Sequence, residues 1–417
     1  MKERDHALVF AAIVVMIVSI LGAVSTITPP QSVGASGTSV TKTSTQLATS
    51  ISQACNTPCP LWSQAVEGNF VRLAVSPDSS YVVAGTGHGG RNGAVYLFNK
   101  QGQALWRRDL DRIVVSVAIS YNGSVVAVAG SQLNVAADFL QNGSLYLFDR
   151  RGNLLWNLTT GGFPVLDVKV STDGSTVVAI TNQKILYFDK QGDFLWSYGT
   201  PTGALVALDS SNDASQIVVS IDFLGNRPDV YSWSFVSFDG RGDVLWNYTA
   251  TDGGEAGIIA LSPNSSYFVG SSSIRDQNGT LYLFTKEGSL LWAHHISHAL
   301  SIEPSRVGSN TLVYTTGGTL VFRQDGLLLR NFTVGPATNY RSTCAPTSFW
   351  ARDPQGRIIA FLDPQGRVIS TYLPRGIAPR AALSLDGYYA AVAVRQETGF
   401  SVVFLLLRQT IEDCSGR

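Results

Sequence analysis

From about residue 60 onward the chain is a succession of short apolar runs separated by polar turns, and no long helical period interrupts them. One unit shows the pattern. Ala94–Phe98 is apolar and rich in β-formers, Ala104–Arg108 is a second run, and the polar tetrad Asn99–Gly102 lies between them. Glycine at the end of such a tetrad adopts positive φ at no steric cost, so the unit predicts a hairpin. Upstream, Val71–Val75, the turn Ser76–Ser80 and the run Tyr81–Ala84 predict another. Similar Ser/Asp/Gly turns stand at Ser120–Gly123, Ser171–Gly174, Ser262–Ser265 and Ser384–Gly387. Each unit thus predicts four strands, A to D.

The units repeat. Phe-x-x-x-Gly-x-x-x-Trp occurs at Phe98–Gly102–Trp106, Phe148–Gly152–Trp156, Phe188–Gly192–Trp196, Phe238–Gly242–Trp246 and Phe284–Gly288–Trp292, with degenerate copies at Phe322–Gly326–Arg330 and Leu362–Gly366–Ser370. A period of this length in short apolar runs signals a solenoid or a propeller, and four antiparallel strands per repeat make a propeller blade. Strand A is expected near residues 69, 113, 164, 203, 255, 298, 339 and 379, which is one more than the seven D strands. Pro60–Val66 resembles the other D strands, and its Trp62 precedes Trp106 by 44 residues. The expectation is an all-β, eight-bladed β-propeller of four-stranded antiparallel blades, closed by an N-terminal strand so that no sheet edge is left open. Trp62, Trp106, Trp156, Trp196, Trp246 and Trp292 are expected to pack between neighbouring blades.

Four cysteines, Cys55, Cys59, Cys344 and Cys414, bear on closure. Strand C of blade eight should end near residue 407, on the face where the N-terminal strand begins. Cys414 is therefore expected to pair with Cys59 or Cys55, a staple worth roughly 5 kcal/mol in the loop-entropy treatment. The partner of Cys344 is left open. Cys55 and Cys59 lack a second Cys/His pair at zinc spacing.

Residues 7–24 form an apolar stretch of 18 residues, long enough to cross a bilayer. It reads as an uncleaved membrane anchor within residues 1–25, and Ala23-Val24-Ser25 offers a cleaved signal peptide as the alternative. Residues 26–54 are rich in Ser, Thr and Gly and read as a flexible stalk. Residues 55–417 form the propeller, expected outside the cell. Sequons at Asn122, Asn142, Asn157, Asn247, Asn264, Asn278 and Asn331 agree with that location, all at positions expected to be exposed. Net charge is zero, 14% of residues are charged, and no basic run appears. Nucleic acid is therefore not an expected partner.

Function is expected in the parts that do not repeat. The A–B and C–D turns are short and uniform, whereas the B–C loops vary, and variable loops on a rigid ring are the usual place for binding residues. His88, Arg91, Asp138, Phe139, Arg227, Asp229, Arg275 and Asp276 stand in those loops. Of the five histidines only His294, His295 and His298 cluster. His294 and His298 would share a strand face, a weak metal candidate without a nearby carboxylate. The glycine-rich Gly85–Gly93 precedes a strand, so it lacks the helix N-terminus of a phosphate cradle. No nucleophile motif stands out.

Asp149–Gly152–Trp156, Asp189–Gly192–Trp196 and Asp239–Gly242–Trp246 resemble, one residue shorter, the Trp-docking motif of the quinoprotein-like eight-bladed propellers, and the turns beginning at Ser76 and Ser384 resemble those of WD-repeat propellers. The resemblance covers roughly residues 60–408. The pyrroloquinoline-quinone dehydrogenases of that superfamily hold cofactor and calcium in the central funnel, use a funnel carboxylate as base and often carry adjacent cysteines. This chain has no adjacent cysteines and no assignable calcium ligands. The resemblance thus implies the cofactor-free branch: a membrane-anchored, non-catalytic scaffold that binds an envelope protein or a glycan. A quinone-dependent dehydrogenase or other funnel-site enzyme, and a structural envelope component, are the alternatives.

Overall fold

The computed structural model describes residues 58–407 apart from 137–138, 201, 225–230, 251–253, 275–277, 306–309, 335–346, 348, 354 and 379. The described residues form an eight-bladed β-propeller of antiparallel sheets, seven with four strands and one with three. In blade one, strands A to D are Phe70–Val75, Tyr81–Gly87, Gly93–Asn99 and Ala104–Leu110, hydrogen-bonded in chain order. Blades two to six repeat this order. Blade seven shows Phe349–Arg352, Ile359–Leu362 and Val368–Tyr372, its B, C and D positions. The strand expected near residue 339 lies outside the described residues. In blade eight, Arg380–Leu383, Tyr389–Gln396 and Gly399–Leu406 share a sheet with Cys59–Val66. The last of these runs antiparallel to Gly399–Leu406, with Trp62 opposite Phe404.

Local chemistry explains the two turns. At the A–B turn of blade one, the buried Ser76 hydroxyl accepts the Tyr81 N–H at 2.9 Å and donates to Asp78 at 2.6 Å. Ser171, Ser211 and Ser384 repeat the arrangement with Asp173, Asp213 and Asp386. Side-chain-to-backbone bonds of this kind divert the chain from a continuous strand. At the C–D turn, Asp149 Oδ1 accepts the N–H groups of Arg151 and Asn153, both at 2.8 Å.

Between blades, the apolar residues of facing sheets interdigitate. Val71, Val82, Tyr96 and Phe98 of blade one pack on Phe400, Val402 and Phe404 of blade eight. Trp62, Trp106, Trp156, Trp196, Trp246 and Trp292 donate their indole N–H to the carbonyls of Lys100, Arg150, Lys190, Gly240, Lys286 and Gln324 in the next blade, at 2.8–3.1 Å. Each ring lies against that blade's turn glycine. A Cβ at Gly102, which has φ +83°, would sit 2.5 Å from Trp62 Cγ, so only glycine fits. Where the repeat degenerates the docking changes, and Gly366 meets Val321 instead of a tryptophan.

The strand preceding each docking site also carries a β-bulge. In blade one Phe98 pairs with Ala104 and Leu97 with Trp106, which leaves Leu105 as the extra residue. The same shift occurs in all eight sheets. A bulge re-aims the side chain it inserts, and Leu105, Leu155, Leu195, Leu245 and Leu291 are exposed as a result.

Among the described residues no helix is long and apolar enough to cross a membrane. The expected anchor, the stalk, Cys55, Cys344 and Cys414 lie outside the described residues, as does the side chain of Cys59.

Candidate functional site

A cleft of about 750 Å3 opens where blade eight meets blade one, on the face of the B–C and D–A connections. Four segments build it. Glu67–Asn69 leads into strand A of blade one. The B–C loop of that blade, from Thr86 to Asn92, forms a second wall, Arg107–Leu110 at the end of strand D a third, and the B–C turn of blade eight, Arg395–Gly399, the fourth. The walls are close because glycine permits it: a Cβ at Gly399, with φ +100°, would lie 2.5 Å from the Val66 carbonyl oxygen.

The His88 loop is a tight hairpin. Its backbone N–H donates to the Asn92 carbonyl at 2.6 Å, the Asn92 N–H returns a bond to His88 at 3.2 Å, and Gly89 and Gly90 take positive φ at the tip. The loop is braced on blade two, where the Leu133 N–H donates to the Gly90 carbonyl at 2.7 Å. This places the exposed His88 side chain on a fixed support.

The floor is ionic. Arg107 reaches Asp109 at 2.8 Å and Glu67 at 3.1 Å, and its guanidinium stacks over the Tyr96 ring, 5.4 Å from the centroid. The hydrogen bond that Arg107 donates to Asp109 raises the Arg107 pKa above its ordinary value. Burial raises that of Tyr96, whose hydroxyl accepts the Glu67 N–H at 3.4 Å. Arg395, Gln396, Glu397 and Thr398 are exposed along the opposite lip. The cleft thus offers donors and acceptors of both signs, fixed on three strands and two short loops. That suits recognition of a polar surface; it contains no nucleophile paired with a base.

Of the loop residues singled out in the sequence, His88 lines this cleft and Arg91 stands exposed at the tip of the same loop. Phe139 opens strand C of blade two, Phe139–Asp149, opposite Asn134. Asp138, Arg227, Asp229, Arg275 and Asp276 lie outside the described residues. Arg395–Gly399 and Glu67–Asn69 escaped the sequence reading, because they face His88 only once the two ends of the ring are side by side.

His294 and His298 do not converge. His294 Nε2 is bonded to the Gly326 carbonyl at 2.8 Å and its ring stacks on Phe322, while His298 is buried between strands. Among the described residues no group of three His, Cys, Asp or Glu could hold a metal. The sequons divide. Asn122, Asn157, Asn247, Asn264, Asn278 and Asn331 are exposed. Asn142 departs from expectation: it is half-buried at φ +49°, and its amide donates to Gln132 at 2.9 Å, because the long B–C hairpin of blade two folds back over it.

Among the described residues the same face holds a perturbed carboxyl. Asp222, near the end of strand B in blade four, has its pKa pushed up to about 8 by burial, with Glu255 adding to the rise and the Ala256 N–H opposing it.

A family of unknown function (DUF5711) matches residues 89–227, from the His88 loop to the B–C loop of blade four. No curated protein matches the sequence. Solved structures do match in fold. Sqt1 from Chaetomium thermophilum superposes with a TM-score of 0.59 at 12% identity over 84% of this chain and 99% of that one. The C-terminal WD40 domain of Sif2 gives 0.58 at 13% identity over 85% and 99%. The β-propeller domain of Cps50 (Swd1) from Myceliophteria thermophila gives 0.53 at 9% identity over 85% and 100%. At such identities the likeness is one of fold alone, a β-propeller; the Sif2 neighbour is a WD40 domain. The quinoprotein side of the resemblance rests on the Asp/Gly/Trp spacing alone.

Proposed function

We propose that this chain is a non-catalytic binding module that presents the B–C and D–A face of a propeller to a protein or glycan partner, with the cleft between blades eight and one as its principal contact. The observation that carries this reading is the cleft itself. It is polar, braced from both sides and furnished with exposed side chains whose partners are not used up within the fold. The WD40 likeness agrees with a binding scaffold, since folds of this kind serve as platforms and function lies in their loops. The apolar stretch at residues 7–24 supports a single-pass membrane anchor with the propeller on the extracellular side, where the sequons would be used. The pairing of Cys59–Val66 with Gly399–Leu406 supports ring closure by the N-terminal strand, which would also be the reason the cleft exists.

The experiment is affinity capture from detergent-solubilised membranes with the wild type and a His88→Ala/Arg395→Ala double variant. The wild type recovers a discrete envelope partner, and the variant recovers about tenfold less, equivalent to 1.4 kcal/mol. Equal recovery by both, or a wild type that runs alone, overturns the reading.

A further inference from the structure

The buried serines at the A–B turns set a common register for the innermost strands. Four residues before Ser76, Ser120, Ser171 and Ser384 stand Arg72, Ser116, Asp167 and Arg380; two before Ser171 and Ser211 stand Lys169 and Asp209. The first strands of successive blades pack against one another, so these side chains surround the propeller axis. They fall into two sectors of different character.

In blades two to four the charges balance. Lys169 Nζ lies 3.3 Å from Asp209 and 3.7 Å from Asp167. The Ser116 hydroxyl donates to Asp167 at 2.5 Å, and the Leu261 N–H donates to Asp209 at 2.8 Å. Each carboxylate is held by a cation and by a neutral donor.

In blades seven, eight and one the cations have no carboxylate within ion-pair distance among the described residues. Arg72 Nε donates to the Val115 carbonyl at 2.8 Å, and the guanidinium stands over Phe70 at 5.6 Å. Arg352, at the end of strand B in blade seven and beside the first strand of blade eight, stands over the Tyr314 ring at 5.8 Å. The Arg380 side chain, half-buried between them, makes no ion pair or hydrogen bond among the described residues. Burial, with the charges of Arg72 and then Arg352 behind it, draws the Arg380 pKa down to about 9. Burial likewise draws Arg72 down to about 10, against the pull of Asp167. The adjoining sequence does not relieve this. Residues 326–352, which include the blade-seven segment outside the described residues, contain Arg341 and no Asp or Glu. The carboxylates nearby are committed or out of register: Asp353 accepts the Ile358 N–H of its own turn at 2.8 Å, and Glu303 stands two residues before Ser305, in the layer of Lys169 rather than that of Arg380.

Crowded guanidinium groups without counter-charge destabilise a fold unless something anionic enters among them. Guanidinium is also the group best shaped to take a carboxylate, sulfate or phosphate through paired N–H bonds. We propose that the axial sector of blades seven, eight and one is an oxyanion-binding site, in which Arg380, flanked by Arg72 and Arg352, receives the carboxylate, sulfate or phosphate group of a ligand. The site is separate from the cleft between blades eight and one, and either can fail without the other.

The test is calorimetric titration and thermal melting of the full-length chain in detergent, with sulfate, phosphate and succinate as probes and chloride holding ionic strength constant. At least one probe binds saturably and raises the melting temperature, and the strongest identifies the oxyanion class. Arg380→Met weakens that binding by about tenfold or more. Without probe it melts no lower than wild type, because a crowded cation has been removed. Arg241→Met, on an outer turn, leaves binding unchanged. The proposal is overturned if the wild type shows no saturable response, if Arg380→Met binds like the wild type, or if Arg241→Met loses as much. Should Arg380→Met fail to fold, Arg352→Met decides: weaker binding supports the site and unchanged binding overturns it.

Discussion

On the face of the A–B and C–D turns, the polar groups are consumed by the fold. Asp149, Asp189, Asp239 and Asp363 each accept backbone N–H groups of their own turn; the turn carbonyls beside the first three take the indole N–H of the preceding blade, and the Pro364 carbonyl beside Asp363 takes the Asn310 amide. On the opposite face, His88, Arg395, Gln396 and Thr398 are exposed around a cleft. Blade four shows the contrast within one strand. At its turn end, hydrogen bonding from the Ser211 hydroxyl holds Asp213 down to about 2. At its loop end, burial lifts Asp222 to about 8. Turn-face carboxylates are stabilised as anions by the repeat, whereas a loop-face carboxyl is kept against its own preference. The difference teaches that the repeating residues carry stability and the non-repeating ones carry recognition.

That division can be broken first at the docking tryptophans. Trp106→Ala removes a nearly buried ring and its bond to Arg150, and should cost about 3–5 kcal/mol in chemical denaturation. A loss no larger than that of an exposed leucine would break the comparison. Gly102→Ala should cost about 1–3 kcal/mol, since the new methyl is driven into Trp62; a neutral result would show that the blade-eight seam gives way.

The two aspartates of blade four sharpen the contrast through pH. The folded pKa of Asp222 lies above the unfolded value of 3.8, so the folded chain binds the extra proton between them. Its contribution is fully present below the unfolded value and is lost as pH rises towards about 8. Asp222→Asn should therefore gain on wild type in melting temperature as pH rises through that window, and hold a constant advantage above it. Asp213 has the opposite sign. Its stabilisation is present above the ordinary carboxylate value and is lost as pH falls towards about 2. Asp213→Asn should be the less stable chain at neutral pH and converge with wild type in acid. Melting curves across pH check both. The smallest effect on stability belongs to the cleft, where His88→Ala/Arg395→Ala should change unfolding free energy by no more than about 0.5 kcal/mol.

Much of the ring was legible in the sequence because its information is local and periodic. Phe98, Gly102 and Trp106 stand at fixed offsets, each doing its work within a turn or across one seam. Trp62 was recoverable by the same spacing. The bulges were not, since Leu105 looks like any apolar strand residue until its pairing is known. The cleft was only half legible. His88 stood out in a glycine-rich loop, but Glu67 and Glu397, far apart in the chain, meet at one opening. Arg72 and Arg380 were not legible, because a single arginine in a short strand carries no local sign that it faces the axis.

The division of labour is tested most directly by hydrogen–deuterium exchange of the chain with and without its captured partner. The account predicts slowed exchange at residues 86–92 and 395–399, with the C–D turns at 99–102, 149–152 and 239–242 unchanged. Protection confined to those turns, with the cleft exchanging as in the free chain, would contradict it.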